Sequence, residues 1–195
     1  SSSQAAPVKK TKRPVAVKTA VQYPMLTLHD YISQVCSIHC VEQEELLSSV
    51  STAARQSGAD VRTLLTIISI ESRFNVRAKN GSSVGLHQVH LRWHRQKFPD
   101  KNYFDVEQNV AVGASIYGEC LKKHKGNRNQ ALRCYNGYGF GDPNYLVKFN
   151  KVYAIIARLV DLQREPTGET RTTSSDPEAL TAVLEQQSSK PQVPF

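Results

Sequence analysis

Glu71 stands where a carboxylate can do chemistry. It follows Leu64 by seven positions and Ile67 and Ile68 by four and three, so on a helix it shares their apolar stripe. A carboxylate at the end of such a stripe is partly desolvated, which raises its pKa and suits it to donate a proton near neutral pH. A rim position with the charge turned to water is the plainer alternative. Three histidines form a second constellation: His87, His90 and His94 fall at i, i+3 and i+7 and would share a face if that segment were helical. Zinc could use three such ligands. No His-Glu-x-x-His pattern accompanies them, and Arg92 and Arg95 intervene, so we expect no metal and no other cofactor. Exposed, partly positive histidines facing an anionic partner are the better expectation.

Four cysteines admit three pairings. Cys120 lies near the end of one expected helix and Cys134 in the next, across a turn, so a disulfide between them is geometrically plausible. Cys36 and Cys40 are one turn apart, where a bond inside a regular helix is strained. They could pair at a helix end, pair elsewhere, or stay as buried thiols.

The elements that would position these residues are helices. Apolar spacing gives a short helix over 26–40 and another over 42–56, stopped by Gly58. Asp60 is a suitable N-cap for a strongly apolar helix over 61–72, which ends on Glu71-Ser72. A polar loop follows at 80–83, then a short helix over 85–95. Asp105 with Gln108 three residues later starts a helix to about His124. Asn129 would cap a short helix, 136–141 form a glycine-punctuated loop, and Asp142-Pro143 opens a last helix to about Gln163. No alternating strand pattern, βαβ rhythm or internal repeat interrupts this series. The reading is a mainly helical core over 25–165, between a basic arm at 1–24 and a polar, mildly acidic tail at 166–195. Disorder is expected in both, with a frayed helix over 177–187.

The 195 residues carry a formal net charge of +8, and the excess lies in the arm and the core, which points to an anionic partner. No window is apolar enough to span a membrane, and four cysteines are too few for a disulfide scaffold. An initiator Met and an apolar leader are both missing at residue 1, the pattern of a processed or trimmed chain. The arm has lysines but no interleaved aromatics, so specific nucleic-acid binding is not expected.

Three segments then fall in order. Glu71-Ser72-Arg73-Phe74-Asn75 is followed by Gly85-Leu86-His87-Gln88-Val89; Asn109, Gly113 and Tyr117 share a helix; and Ala131 to Gly137 reads Ala-Leu-Arg-Cys-Tyr-Asn-Gly. Together with Tyr145, Lys148 and Val152 they resemble the SLT-type lytic transglycosylases, relatives of goose-type lysozyme, over residues 45 to 160. The resemblance implies an all-α, lysozyme-like fold whose cleft takes a peptidoglycan glycan strand. The reaction it implies is non-hydrolytic cleavage of the β-1,4 bond between N-acetylmuramic acid and N-acetylglucosamine, leaving a 1,6-anhydro end. Glu71 matches the family's catalytic acid; Ser72, Gln88, Tyr135 and Asn136 match substrate-binding positions. His87 stands where the family usually has Met, Cys134 where it has Ala, and Val76 where it often has Pro.

The implied setting is the bacterial periplasm or envelope, or a phage virion acting there, with the tails suited to attachment in a larger assembly. Two rivals are a muramidase of the same fold and a non-enzymatic wall-binding component. A muramidase needs a second carboxylate, for which Asp100, Asp105 and Glu107 are the mid-chain candidates.

Overall fold

In a computed structural model the described residues are 26–139 and 141–164. The expected arm at 1–24, the tail at 166–195 and its helix at 177–187 lie outside them. Among the described residues seven α-helices run in order: α1 (Leu28–Val35), α2 (Gln43–Ser57), α3 (Val61–Ser72), α4 (Leu91–His94), α5 (Val106–Lys123), α6 (Arg128–Tyr135) and α7 (Tyr145–Arg164). The apolar stripes meet where α2 packs on α5, α3 on α7 and α5 on α6. Leu46, Leu64, Leu65, Ile67, Ile68, Phe149 and Ile156 are completely buried there. No helix among the described residues is long and apolar enough to cross a membrane.

Between α3 and α4 the chain departs from the helical expectation. Three two-residue strands, β1 (Lys79–Asn80), β2 (Ser83–Val84) and β3 (Val89–His90), form an antiparallel sheet in the order β1-β2-β3. Val84 pairs with Lys79 on one side and Val89 on the other. The expected helix over 85–95 is therefore corrected: residues 85–88 are turn, 89–90 strand, and only 91–94 α-helix, followed by a 3-10 turn over Arg95–Lys97. Gly85 (φ +72°) explains the turn. It needs a left-handed backbone, and a Cβ there would lie 2.2 Å from the Asn109 amide nitrogen.

Other boundaries move for local reasons. Thr27 and Asp30 form a reciprocal capping box that starts α1, and α1 ends at Val35 because Cys36 is extended. Cys36 and Cys40 then form a disulfide across the turn, resolving the open pairing; Cys120 and Cys134 form the second, between α5 and α6. Asp105 caps α5 by accepting from the Gln108 N–H, while the Gln108 side chain reaches Asp100 rather than back to the cap. Asn127, two residues before the expected Asn129, caps α6 through the Gln130 N–H. Asp60 holds the N-cap position of α3 without a side-chain bond to the backbone. Its carboxylate accepts instead from Arg62 and Tyr153.

Candidate active site

The turn after α3 is held from behind. Arg73 (φ +55°) and Phe74 (φ +62°) are both left-handed, which turns the chain sharply away one residue past Glu71-Ser72. The loop after α1 clasps this turn. Val41 N–H donates to the Phe74 carbonyl and Val76 N–H to that of His39, with Cys40 and Asn75 forming a β-bridge. Arg73 reaches back through Nε and Nη2 to the Val35 carbonyl, and the Tyr31 hydroxyl meets Ser69 Oγ at 3.0 Å. The Cys36–Cys40 bond closes the loop that makes these contacts. The C-terminal end of α3 is thus fixed against α1, and Glu71 with it.

Glu71 is half-buried and opens into a cleft of about 970 Å³. The sheet, α4, α5, α6 and the start of α7 all contribute to its walls. Gln88, Tyr135 and Asn136 line it, as do His87, His90 and His94. On α5, Ile116, Glu119, Cys120 and Lys123 recur at helical spacing along its wall. Ser72 is placed apart from the others: it is buried, its hydroxyl donates to the Ile68 carbonyl at 3.0 Å, and it does not line the cleft.

The Gly85–Gln88 turn carries two of the expected residues, and a buried amide anchors it. Asn109 Oδ1 accepts from the His87 N–H at 2.9 Å, while its Nδ2 donates to the carbonyls of Val84 and Tyr103. Gln88 (φ +46°) turns its amide nitrogen onto the carbonyls of Ala78 and Gly85, both at 3.0 Å. Those neighbours are acceptors only, so the Nε2 group must face them and the amide oxygen is the end turned from them. Asn136 closes its own loop: its Nδ2 donates to the Asp142 carbonyl and its Oδ1 accepts from the Asp142 N–H.

His87 departs most from expectation. It is 1% exposed, and burial alone drives its pKa down from 6.5 to about 3, so it is neutral rather than a positive face for substrate. Gly113 on α5 makes room for the ring; a Cβ there would stand 2.1 Å from His87 Cγ. The Tyr135 hydroxyl donates to the His87 carbonyl at 2.8 Å and lies 3.1 Å from His87 Nδ1. Its one proton being committed, Nδ1 must carry the imidazole proton and donate to the phenol oxygen. His87 Nε2 then keeps a buried lone pair without a partner among the described residues. His94 is also shifted down, mainly by burial and then by Lys97. No group of three His, Cys, Asp or Glu among the described residues is arranged to hold a metal ion.

Two phenols flank Glu71. Burial first, and the Glu71 charge second, raise the Tyr135 pKa well above its ordinary value. Tyr145, which sequence reasoning had only as a helix residue, is raised by the same two causes in the same order. Its hydroxyl is buried, and the Glu71 carboxylate helps to hold its proton. Two further carboxylates line the cleft, neither of them expected there from the sequence, and each is tied to a lysine: Glu119 to Lys97 and Asp142, expected only as a helix cap, to Lys148. Asp100, Asp105 and Glu107, the sequence candidates for a second acid, do not line it. Their only signal was charge in the middle of the chain, which says nothing about which face a helix turns to the cleft.

A helical domain with a small three-stranded sheet, and a cleft crossed by a carboxylate at a helix C-terminus, is the lysozyme-like architecture. The chain belongs to the transglycosylase SLT domain family, whose model matches residues 48–152. That family is one of peptidoglycan lytic transglycosylases. No solved structure matches the chain.

Proposed function

We propose that this chain is an active peptidoglycan lytic transglycosylase in which Glu71 serves as acid and then as base. The observation that supports it best is the pairing of the cleft carboxylates. Glu119 and Asp142 are each held by a lysine, and Glu71 faces the hydroxyl-bearing wall of Tyr135 and Tyr145. Hydrolysis by two carboxylates needs a second acid ready to activate water or attack the sugar. An anhydro-forming reaction needs one. Protonated Glu71 gives its proton to the glycosidic oxygen as the bond to the muramyl anomeric carbon breaks. The carboxylate so formed takes the proton of the muramyl 6-hydroxyl, whose oxygen closes onto that carbon. The substrate's N-acetyl carbonyl can assist at the anomeric carbon in place of a protein nucleophile.

In this reading Gln88 presents its amide oxygen to the sugar, and Tyr135 forms the wall beside Glu71. Asn136 acts by shaping the loop after α6, and Ser72 by packing behind Glu71. The enzyme works on envelope peptidoglycan, in a bacterial periplasm or from a phage particle, and the segments at 1–24 and 166–195 attach it to a larger assembly. A pull-down in which the 195-residue chain retains no assembly component that the 25–165 fragment lacks would refute that last point. The catalytic assignment is tested by Glu71→Gln: turbidity clearing of purified peptidoglycan should fall by at least about a hundredfold, the scale on which general acid catalysis contributes. Undiminished clearing by a folded variant would remove Glu71 from the mechanism.

A further inference from the structure

Trp93 is the only tryptophan in the chain, and it is 61% exposed on the wall of the cleft. Indole is usually among the more buried side chains, so an open one on a cleft wall asks for a ligand. Its position is set rather than loose. The Gln96 side chain donates to the Trp93 carbonyl at 2.9 Å, which steadies the turn that follows α4. The Arg92 guanidinium lies over the ring, 5.0 Å from its centroid, and the His90 ring stands beside it at 6.3 Å. A flat apolar face held in place, in a cleft that also presents amides, imidazoles and carboxylates, suits a ligand that is apolar on its flat side and polar at its edge. A pyranose is such a ligand: its axial C–H bonds form the flat side and its hydroxyl and acetamido groups the rim.

We propose that Trp93 is the stacking platform of a pyranose subsite, part of the same cleft as Glu71. The inference rests on the transglycosylase reading and adds to it a specificity-determining residue, with a β-1,4-linked N-acetylhexosamine ring as the ligand. Because Trp93 is the sole tryptophan, its emission reports on this subsite and no other. The test uses Glu71→Gln protein, which binds without turnover, titrated with an oligomer of β-1,4-linked N-acetylglucosamine and followed by fluorescence and by calorimetry. Emission should change and saturate with the same Kd as the heat. Adding Trp93→Ala should weaken the calorimetric Kd by about tenfold, the scale of one aromatic contact, and Trp93→Phe should recover part of it.

Saturable heat with unchanged emission, or a Kd indifferent to Trp93→Ala, overturns the platform and leaves the Glu71 mechanism standing. Absence of any saturable heat also overturns the platform. The transglycosylase reading is judged separately, by whether the wild-type protein digests peptidoglycan. Trp93 is exposed, so its replacement leaves the core untouched, and thermal melting of each variant verifies this.

Discussion

The hydroxyl of Tyr135 is bound twice to one residue: it donates to the His87 carbonyl at 2.8 Å and stands 3.1 Å from His87 Nδ1. This pair ties α6 to the turn that carries Gln88, across the cleft wall beside Glu71. Removing the hydroxyl would leave a buried imidazole N–H and a carbonyl without their partner. Tyr135→Phe should therefore lower unfolding free energy by about 1–3 kcal/mol, read as a shift of the urea midpoint. A midpoint unchanged within error would show that the two groups are not held as described.

Burial of neutral His87 makes stability depend on pH. In the unfolded chain the imidazole binds a proton below about 6.5, whereas in the folded protein it does not until about 3. The unfolded state thus binds more protons between these values. The stability is fully present above pH 6.5 and is lost as pH falls toward 3, at about 1.4 kcal/mol per pH unit. His94 shifts in the same direction, so the comparison must isolate His87. The variant His87→Met, which carries the family's usual residue, should flatten the slope of stability against pH between 4.5 and 6.5. Equal slopes in both proteins would contradict a buried, neutral His87.

The same ring depends on Gly113. A Cβ at that position would come within 2.1 Å of His87 Cγ, too close for either α5 or the Gln88 turn to absorb without moving. Gly113→Ala should cost about 1–3 kcal/mol through overpacking, outweighing alanine's better helix propensity. A gain in melting temperature for Gly113→Ala would contradict the close approach.

The Cys120–Cys134 bond joins α5 to α6 along the cleft, closing a loop over a sequence separation of 14. On the chain-entropy account such a loop stabilises by about 3 kcal/mol. Replacing both cysteines by serine should lower the urea midpoint accordingly, and wild-type protein under reducing conditions, where Cys36–Cys40 opens as well, should fall at least as far. A double variant as stable as wild type in oxidising buffer would argue that the bond contributes nothing.

How far the sequence reached depended on the length of the signal. The apolar stripe from Leu64 to Ile68 extends over a full helix, so α3 and the place of Glu71 at its end were legible. The cap at Asp105 was legible for the same reason, being followed by eighteen helical residues. The sheet was not, because strands of two residues are too short to show alternation. The 85–95 segment looked helical while its backbone was decided elsewhere, by Gly85 and by Asn109 on α5. His87 was misjudged as exposed because its burial depends on Gly113 and Tyr135, 26 and 48 residues away. The Cys36–Cys40 bond required knowing that α1 stops at Val35. Trp93, Tyr145, Glu119 and Asp142 gave no signal of sharing a cleft, since nothing local brings them together.

In the proposed reaction one carboxylate, Glu71, serves without a water-activating partner. The most direct test is mass spectrometry of the soluble fragments released from purified peptidoglycan by wild-type protein. Anhydro formation leaves each muramyl end lighter by one water than hydrolysis does. Wild type should release anhydro-muropeptides and Glu71→Gln none. Reducing-end products would contradict it and turn attention to Asp142 and Glu119, the other carboxylates on the cleft wall.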